Sequence, residues 1–347
     1  KYSFAVLLLI GAVSATRLGE VQGELADKKV NLNKPLILLG LCVLFFILCK
    51  CSVSVYSFYE LVYFNVIHVV LLAIQRVSGQ LGYVIILAVV LTKAVLCFKS
   101  KGWKNKLARL LKGLFYMVSI FFILWGFHYA QPTLETRANL NAEELEVLWV
   151  KQLEIVNSIR AEMSDQTLRE FDLTPLITET LETNLRKQAE ILRSESRNVA
   201  YPVSFQINGG LRKMGISGIY FPFSGEPLYD DSAPLLRKTF TYAHEFFHGR
   251  GVTGEDECNY LAYKTLIESE FGFLHYAAHL DALLTLTFLL GKEDAEMDRI
   301  LNQRTLDDIR FLREDSKKYR SSFHAVSSAS NDLYLKILSS SEGVEAY

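Results

Sequence analysis

The polarity pattern of the chain changes near residue 131. Before it, long apolar runs alternate with short polar or basic breaks; after it, apolar residues recur every three or four positions among many acids. The first pattern predicts membrane-spanning helices and the second predicts the amphipathic helices of a folded domain. Residues 35–51, 81–98 and 113–129 are each close to the roughly 20 residues that cross a hydrocarbon core. Residues 56–75 carry Glu60, Asn65 and His68 among aromatics and aliphatics. Polar groups inside an apolar segment face a bundle interior or the headgroups, so this segment reads as interfacial or protein-covered, with a fourth crossing as the alternative. His68 has no His, Cys or acid at ligand spacing and reads as a packed residue.

In the second half, Asn141 followed by Glu144 predicts a capping box, and Leu145, Leu148, Trp149, Val156 and Ile159 form an apolar stripe behind it. Pro175 opens another helix, with Ile177, Leu181, Leu185, Ala189 and Leu192 on one face. Residues 201–223 have Pro, Gly and β-branched residues without a helical period, which predicts a loop and one or two short strands. Residues 271–290 are apolar enough to be mistaken for a span. Their His275, His279 and Asp281 instead predict a buried core helix.

Charge orients the chain. Lys99, Lys101, Lys104, Lys106, Arg109 and Lys112 form a basic loop that belongs in the cytoplasm, which puts residues after 131 on the extracytoplasmic side. Three crossings leave the N-terminus cytoplasmic, in keeping with Lys28, Lys29 and Lys34. Against this, residues 1–15 have a basic start, a short apolar run and the ending Ala12-Val13-Ser14-Ala15 that fits a cleaved signal peptide. A formal net charge of −1, with no basic stripe, gives no case for nucleic-acid binding. Five cysteines, four in or beside apolar runs, imply no disulfide framework.

The chemistry lies in His244-Glu245-Phe246-Phe247-His248. Residues four apart stack on one helical face, so both imidazoles can reach a single metal ion. Glu245 then stands beside the metal, placed to take a proton from a zinc-bound water. Gly249 and Gly251 flank Arg250 where the helix must stop. Thr253 reads as the N-cap of a new helix with Glu255, Asp256 and Glu257 in its first turn. A catalytic zinc takes three protein ligands, and Glu255 or Glu257 completes the set. Glu255 is preferred because it shares a helical face with Asn259, which can support a ligand by hydrogen bonding. His275 and His279 are also four apart, but Tyr276 stands where a base would be, so they read as packing or supporting residues. In zinc peptidases of this kind an edge strand beside the motif helix holds an extended peptide. Residues 216–221, with Ile219 and Tyr220, are the candidate.

The run 217–226 (SGIYFPFSGE), the motif with AHEFFHGRGVTGEDECNYLAY, and Asn331-Asp332-Leu333-Tyr334-Leu335-Lys336 together resemble the bacterial membrane proteins of domain-of-unknown-function family 3810. Trp125-Gly126-Phe127-His128-Tyr129 resembles that family's W-G-x-N-Y junction. The likeness covers roughly residues 35–347. It implies a multi-pass membrane protein with a zinc-metallopeptidase-like domain and no named substrate. His128 stands where the family usually has Asn, and Cys258 where it usually has Ala. The E-x-x-x-N spacing of Glu255 and Asn259 also resembles the E-x-x-x-D element of other membrane zinc peptidases, in which the Glu binds metal. Tyr334 is a candidate oxyanion stabiliser, with an ordinary core tyrosine as the alternative.

These readings combine into one expectation. The fold is mainly α: transmembrane helices, then a zincin-like, mostly helical domain with a short edge strand or small sheet. Residues 1–33 form a leader or cytoplasmic tail, 34–131 the membrane region and 132–347 the extracytoplasmic domain. The function expected is that of a membrane-anchored Zn2+-dependent hydrolase, an endopeptidase acting on peptide or protein substrates at the outer face of the lipid bilayer. His244, His248 and Glu255 are its ligands and Glu245 its base. A non-catalytic membrane scaffold or sensor that retains the zinc is the alternative.

Overall fold

The computed structural model describes residues 31–78, 82–131, 140–164, 175–191 and 200–319. The leader reading of residues 1–15 and the role of Tyr334 lie outside them. The described residues divide into two compact units, one from Lys1–Leu48 and Val84–Ile123, the other from Cys49–Tyr83 and Leu124–Tyr347.

The first unit draws on three helices: α1 (Asn33–Cys51), and two to its C-terminal side that are numbered below. The chain continues through α2 (Val53–Val62), a π-helical turn at Tyr63–Ile67, and α3 (His68–Ser78). Then come α4 (Gly82–Phe98) and α5 (Trp103–Leu124), which complete the first unit's set. Among the described residues, three helices are long and apolar enough to cross a membrane: Asn33–Cys51, Val53–Arg76 and Trp103–Leu124. The set differs from the expected one. Gly82–Phe98 has 17 residues and is the short one, while the segment read as interfacial or protein-covered, with a crossing as the alternative, is the longest, at 24. The Asn65 amide donates to the carbonyl of Leu61, and His68 is buried with Tyr63 and Phe64 around it. The last of the three starts ten residues before the expected Gly113, because the basic residues from Lys104 to Lys112 form its first turns. Its expected end, Trp125–Tyr129, falls in a 3-10 turn at Gly126–Ala130.

The second unit is mainly helical with a small mixed sheet. Helix α6 (Ala142–Glu162) begins at the expected capping box. Asn141 accepts from the Glu144 amide at 2.9 Å, and the Glu144 carboxylate accepts from the Asn141 amide at 2.8 Å. Two of the first turn's orphan donors are thereby satisfied. Its buried face, Trp149, Leu153 and Val156, packs into the same core as Leu181 and Leu185 of α7 (Pro175–Ile191). The sheet contains β1 (Val203–Ser204), β2 (Gly218–Phe221) and β3 (Glu226–Tyr229), with the four-residue helix α8 (Gly210–Lys213) between the first two. Strand order is β1-β3-β2. β1 runs parallel to β3, and β2 runs antiparallel to it with Gly218 opposite Tyr229 and Phe221 opposite Glu226. Among the described residues β2 therefore has one unpaired edge.

Helices α9 (Leu235–Gly249), α10 (Glu255–Ile267) and α11 (Gly272–Leu289) follow, then the short α12 (Asp294–Asp298) and α13 (Gln303–Lys318). The apolar run of α11 is core: Leu274, Tyr276, Ala278 and Leu283 are fully buried, and Thr287 accepts from the indole of Trp149 at 2.9 Å. Burying several such side chains, each worth about 1.5–3 kcal/mol, holds α11 against α6 and α9.

Candidate metal centre

Helix α9 runs through the middle of the second unit. Phe246 and Phe247 are wholly buried in the core, which fixes the helix in rotation and leaves His244, Glu245 and His248 on another face. The helix stops as the glycines predict. Gly251 has φ +88°, its amide donates to the carbonyl of His248 at 2.9 Å, and the Val252 amide donates to Phe247 at 3.2 Å. These two bonds make a Schellman ending. The reversed chain brings the carbonyl of Val252 to 2.8 Å from His248 Nδ1. Helix α10 then starts one residue later than expected. Gly254 is its N-cap, not Thr253, and no side chain caps it. Glu255 is thereby its first residue.

The three atoms expected to bind metal converge. His244 Nε2 lies 3.1 Å from His248 Nε2 and 3.1 Å from Glu255 Oε2, and His248 Nε2 lies 3.5 Å from the same oxygen. Donor atoms about 2.0–2.1 Å from a tetrahedral zinc stand about 3.3 Å apart, so this triangle has the dimensions of one face of such a site. The outer nitrogens settle the tautomers. His248 Nδ1 faces a backbone carbonyl and His244 Nδ1 faces Asn259 Oδ1 at 2.8 Å, and both partners accept only. Each Nδ1 thus carries the proton and each Nε2 presents a lone pair to the centre. Three acceptors facing one another at this range require a positive charge between them, either a cation or a proton. The electrostatics follow. Burial opposes charge on His248, but Cys258 and Glu255 outweigh it and hold the imidazole well above its ordinary range. Burial would likewise raise the Glu255 carboxyl, yet His248 and His244 hold it well below the usual carboxylate range.

Glu257, the other candidate, is buried and turned back over Gly254, with a carboxylate oxygen 3.0 Å from where a Cβ on that glycine would stand. Cys258 is wholly buried, and burial pushes its thiol up to about 11. Its sulfur belongs to a His244–His248–Cys258 group whose ligand atoms lie within 4.8 Å of one another. Its contact is with His248 Nδ1 at 3.4 Å, the nitrogen already committed to Val252, so the His-His-Glu triangle is the better-formed donor set.

Glu245 is buried beside the triangle, and its Oε2 has no hydrogen-bond partner. Burial raises its carboxyl to about 7, against the pull of His248 and His244. Strand β2 passes directly over it. A Cβ on Gly218 would stand 2.5 Å from Glu245 Oε1 and 2.7 Å from Thr241 Cγ2, so glycine is what lets the backbone approach. Of the two strand residues singled out, Ile219 is partly exposed and Tyr220 is buried, its hydroxyl 3.0 Å from that of Tyr63. The second histidine pair is hydrogen-bonded elsewhere: His275 Nε2 to the Ser269 carbonyl, and His279 Nδ1 to Gln152 and Tyr263. Sequence reasoning missed Gly218 and Val252, whose parts in the site come from the folded backbone.

The class defined by fold and site is thus a mainly helical protein with apolar helices near its N-terminus and a buried histidine–carboxylate cluster. The family described as "Protein of unknown function (DUF3810)" matches residues 43–347, and the chain belongs to it. No curated protein and no solved structure matches the chain.

Proposed function

We propose that the protein is a membrane-anchored, zinc-dependent hydrolase, and specifically an endopeptidase. The observation that carries this reading is the convergence of His244 Nε2, His248 Nε2 and Glu255 Oε2 on one point, beside a buried carboxylate that has an unpartnered oxygen. Zinc held by those three groups would supply Lewis acidity, polarising a carbonyl and acidifying water. Glu245 takes the proton that the attacking water loses and returns it to the leaving amine. A carboxyl raised toward 7 by burial is matched to both halves of that task. Asn259 and the Val252 carbonyl hold the imidazoles in the required tautomer. The unpaired edge of β2, drawn against Glu245 by Gly218, offers backbone groups to an extended peptide. The basic residues in the first turns of α5 favour placement of this domain on the outer face of the membrane.

The scaffold or sensor reading draws on one feature, the Cys258 sulfur near both histidines, since a structural zinc closes with four protein ligands. A structural site has no use for a buried base, and this favours the hydrolase. Elemental analysis of the purified full chain separates them. One zinc per chain is expected in the wild type and in Glu245→Gln, and none in His248→Ala or Glu255→Ala. Glu245→Gln is expected to lose peptide cleavage. A Cys258→Ala variant that also lost its zinc would overturn the proposal in favour of the closed site.

A further inference from the structure

Arg237 lies on α9 seven residues before His244, about 10 Å along the helix axis, and on the same face. Thr241, between them, is the residue that β2 covers at Gly218. Arg237 is half-buried, and its Nε is buried without a hydrogen-bond partner. Among the described residues no hydrogen bond or ion pair engages its guanidinium. Burial raises the Asp281 carboxyl of α11, against the pull of Arg237 and then of His244. Asp281 makes no hydrogen bond to Arg237 among the described residues. A guanidinium presents five donors in a planar fork that matches a carboxylate, and leaving the buried Nε–H of Arg237 without a partner is costly. A purely packing role would be met by an uncharged side chain.

We infer that Arg237 anchors a carboxylate of the substrate, about three residues from the bond held at the metal centre. The spacing follows from about 10 Å at the 3.3–3.6 Å that each residue of an extended chain covers. The carboxylate is either an acidic side chain or the C-terminus of a peptide. This inference rests on the peptidase reading for its ligand class, and its test is built to fail separately from that reading.

The zinc-loaded full chain carrying Glu245→Gln, which should bind and not cleave, is titrated with three fluorescent decapeptide libraries of otherwise random sequence. One has a fixed central Glu and an amidated C-terminus, one a fixed central Gln and an amidated C-terminus, and one a central Gln with a free C-terminus. One of the two carboxylate libraries is expected to bind at least tenfold more tightly than the amidated Gln library, and which one does so identifies the source. Adding Arg237→Gln is expected to abolish that preference with zinc content and binding of the amidated Gln library unchanged. Absence of a carboxylate preference, or one that survives Arg237→Gln, overturns the inference and leaves the peptidase reading standing. An Arg237-dependent preference in a chain whose wild type cleaves nothing keeps the carboxylate site and removes the hydrolase. Binding of no library overturns both. Should Arg237→Gln misfold, Arg237→Lys keeps the charge and loses the fork, and is expected to weaken the preference several-fold; an undiminished preference overturns the inference.

Discussion

His248 donates from Nδ1 to the backbone carbonyl of Val252, four residues on and past the end of its own helix, at 2.8 Å. The bond exists because Gly251 takes φ +88° and reverses the chain. Helix termination and ligand orientation are therefore one event, and Gly251→Ala tests it. A left-handed conformation costs a residue with a Cβ about 1–2 kcal/mol, and here the new atom would stand 3.1 Å from the His128 ring. The variant is expected to melt at a lower temperature and to surrender zinc to a chelator more readily. A lower melting temperature with unchanged zinc affinity would show that the Val252 carbonyl does not orient the ligand.

Asn259 holds His244 from the other side at 2.8 Å, on the helix that also carries Glu255. Removing a residue that orients a ligand typically costs 10–100-fold in metal affinity, whereas removing a ligand empties the site. Asn259→Ala is expected to retain one zinc at saturating metal with affinity reduced in that range, and Glu255→Ala to retain none. Equal losses in a competition titration would place Asn259 among the ligands.

The motif itself was legible because its spacing is local: the two histidines, the base and the glycine stop all follow from a helical period and the conformations glycine allows. The capping box at Asn141 and Glu144 was legible for the same reason. The membrane segments were harder. Glu60, Asn65 and His68 suggested an interfacial or protein-covered segment, with a crossing as the alternative; the helix is long enough for a crossing, the Asn65 amide is satisfied within it and His68 is turned into the protein, details that a sequence does not display. The start of α10 was misplaced by one residue because Thr253 is the commoner N-cap type, while the turn after Gly251 brings Gly254 to that position. Gly218 was invisible as a site residue, since its importance comes from Glu245, 27 positions away in sequence.

That contact gives a sharp substitution. Gly218→Ala adds one carbon where Glu245 Oε1 would be 2.5 Å away and Thr241 Cγ2 2.7 Å away, so either the strand or the carboxylate must shift. Overpacking of this kind costs about 1–3 kcal/mol. If Glu245 shifts, cleavage falls by at least tenfold with zinc content unchanged, because none of the three ligands touches Gly218. A fully active Gly218→Ala enzyme would mean that Glu245 need not stay where it is found.

Glu245 also leaves a signature in stability that needs no substrate. Burial raises its carboxyl from 4.5 to about 7, so between those values the folded chain keeps a proton that the unfolded chain has lost. Stability therefore falls as pH rises from 4.5 through 7, and above 7 the full cost of the buried charge is present. A difference of about 2.5 in pKa corresponds to about 3 kcal/mol. Glu245→Gln cannot ionise. In the metal-free protein it is expected to be more stable than the wild type by up to about 3 kcal/mol at pH 8 and equal to it at pH 4. A cation among the histidines offsets the buried charge, so loading both proteins with zinc should shrink the gap at pH 8. Thermal melts of the two proteins at both pH values, with and without zinc, check this. An advantage of the same size at pH 4 and pH 8 would trace to packing of the amide and would remove the argument that Glu245 is held poised as a base.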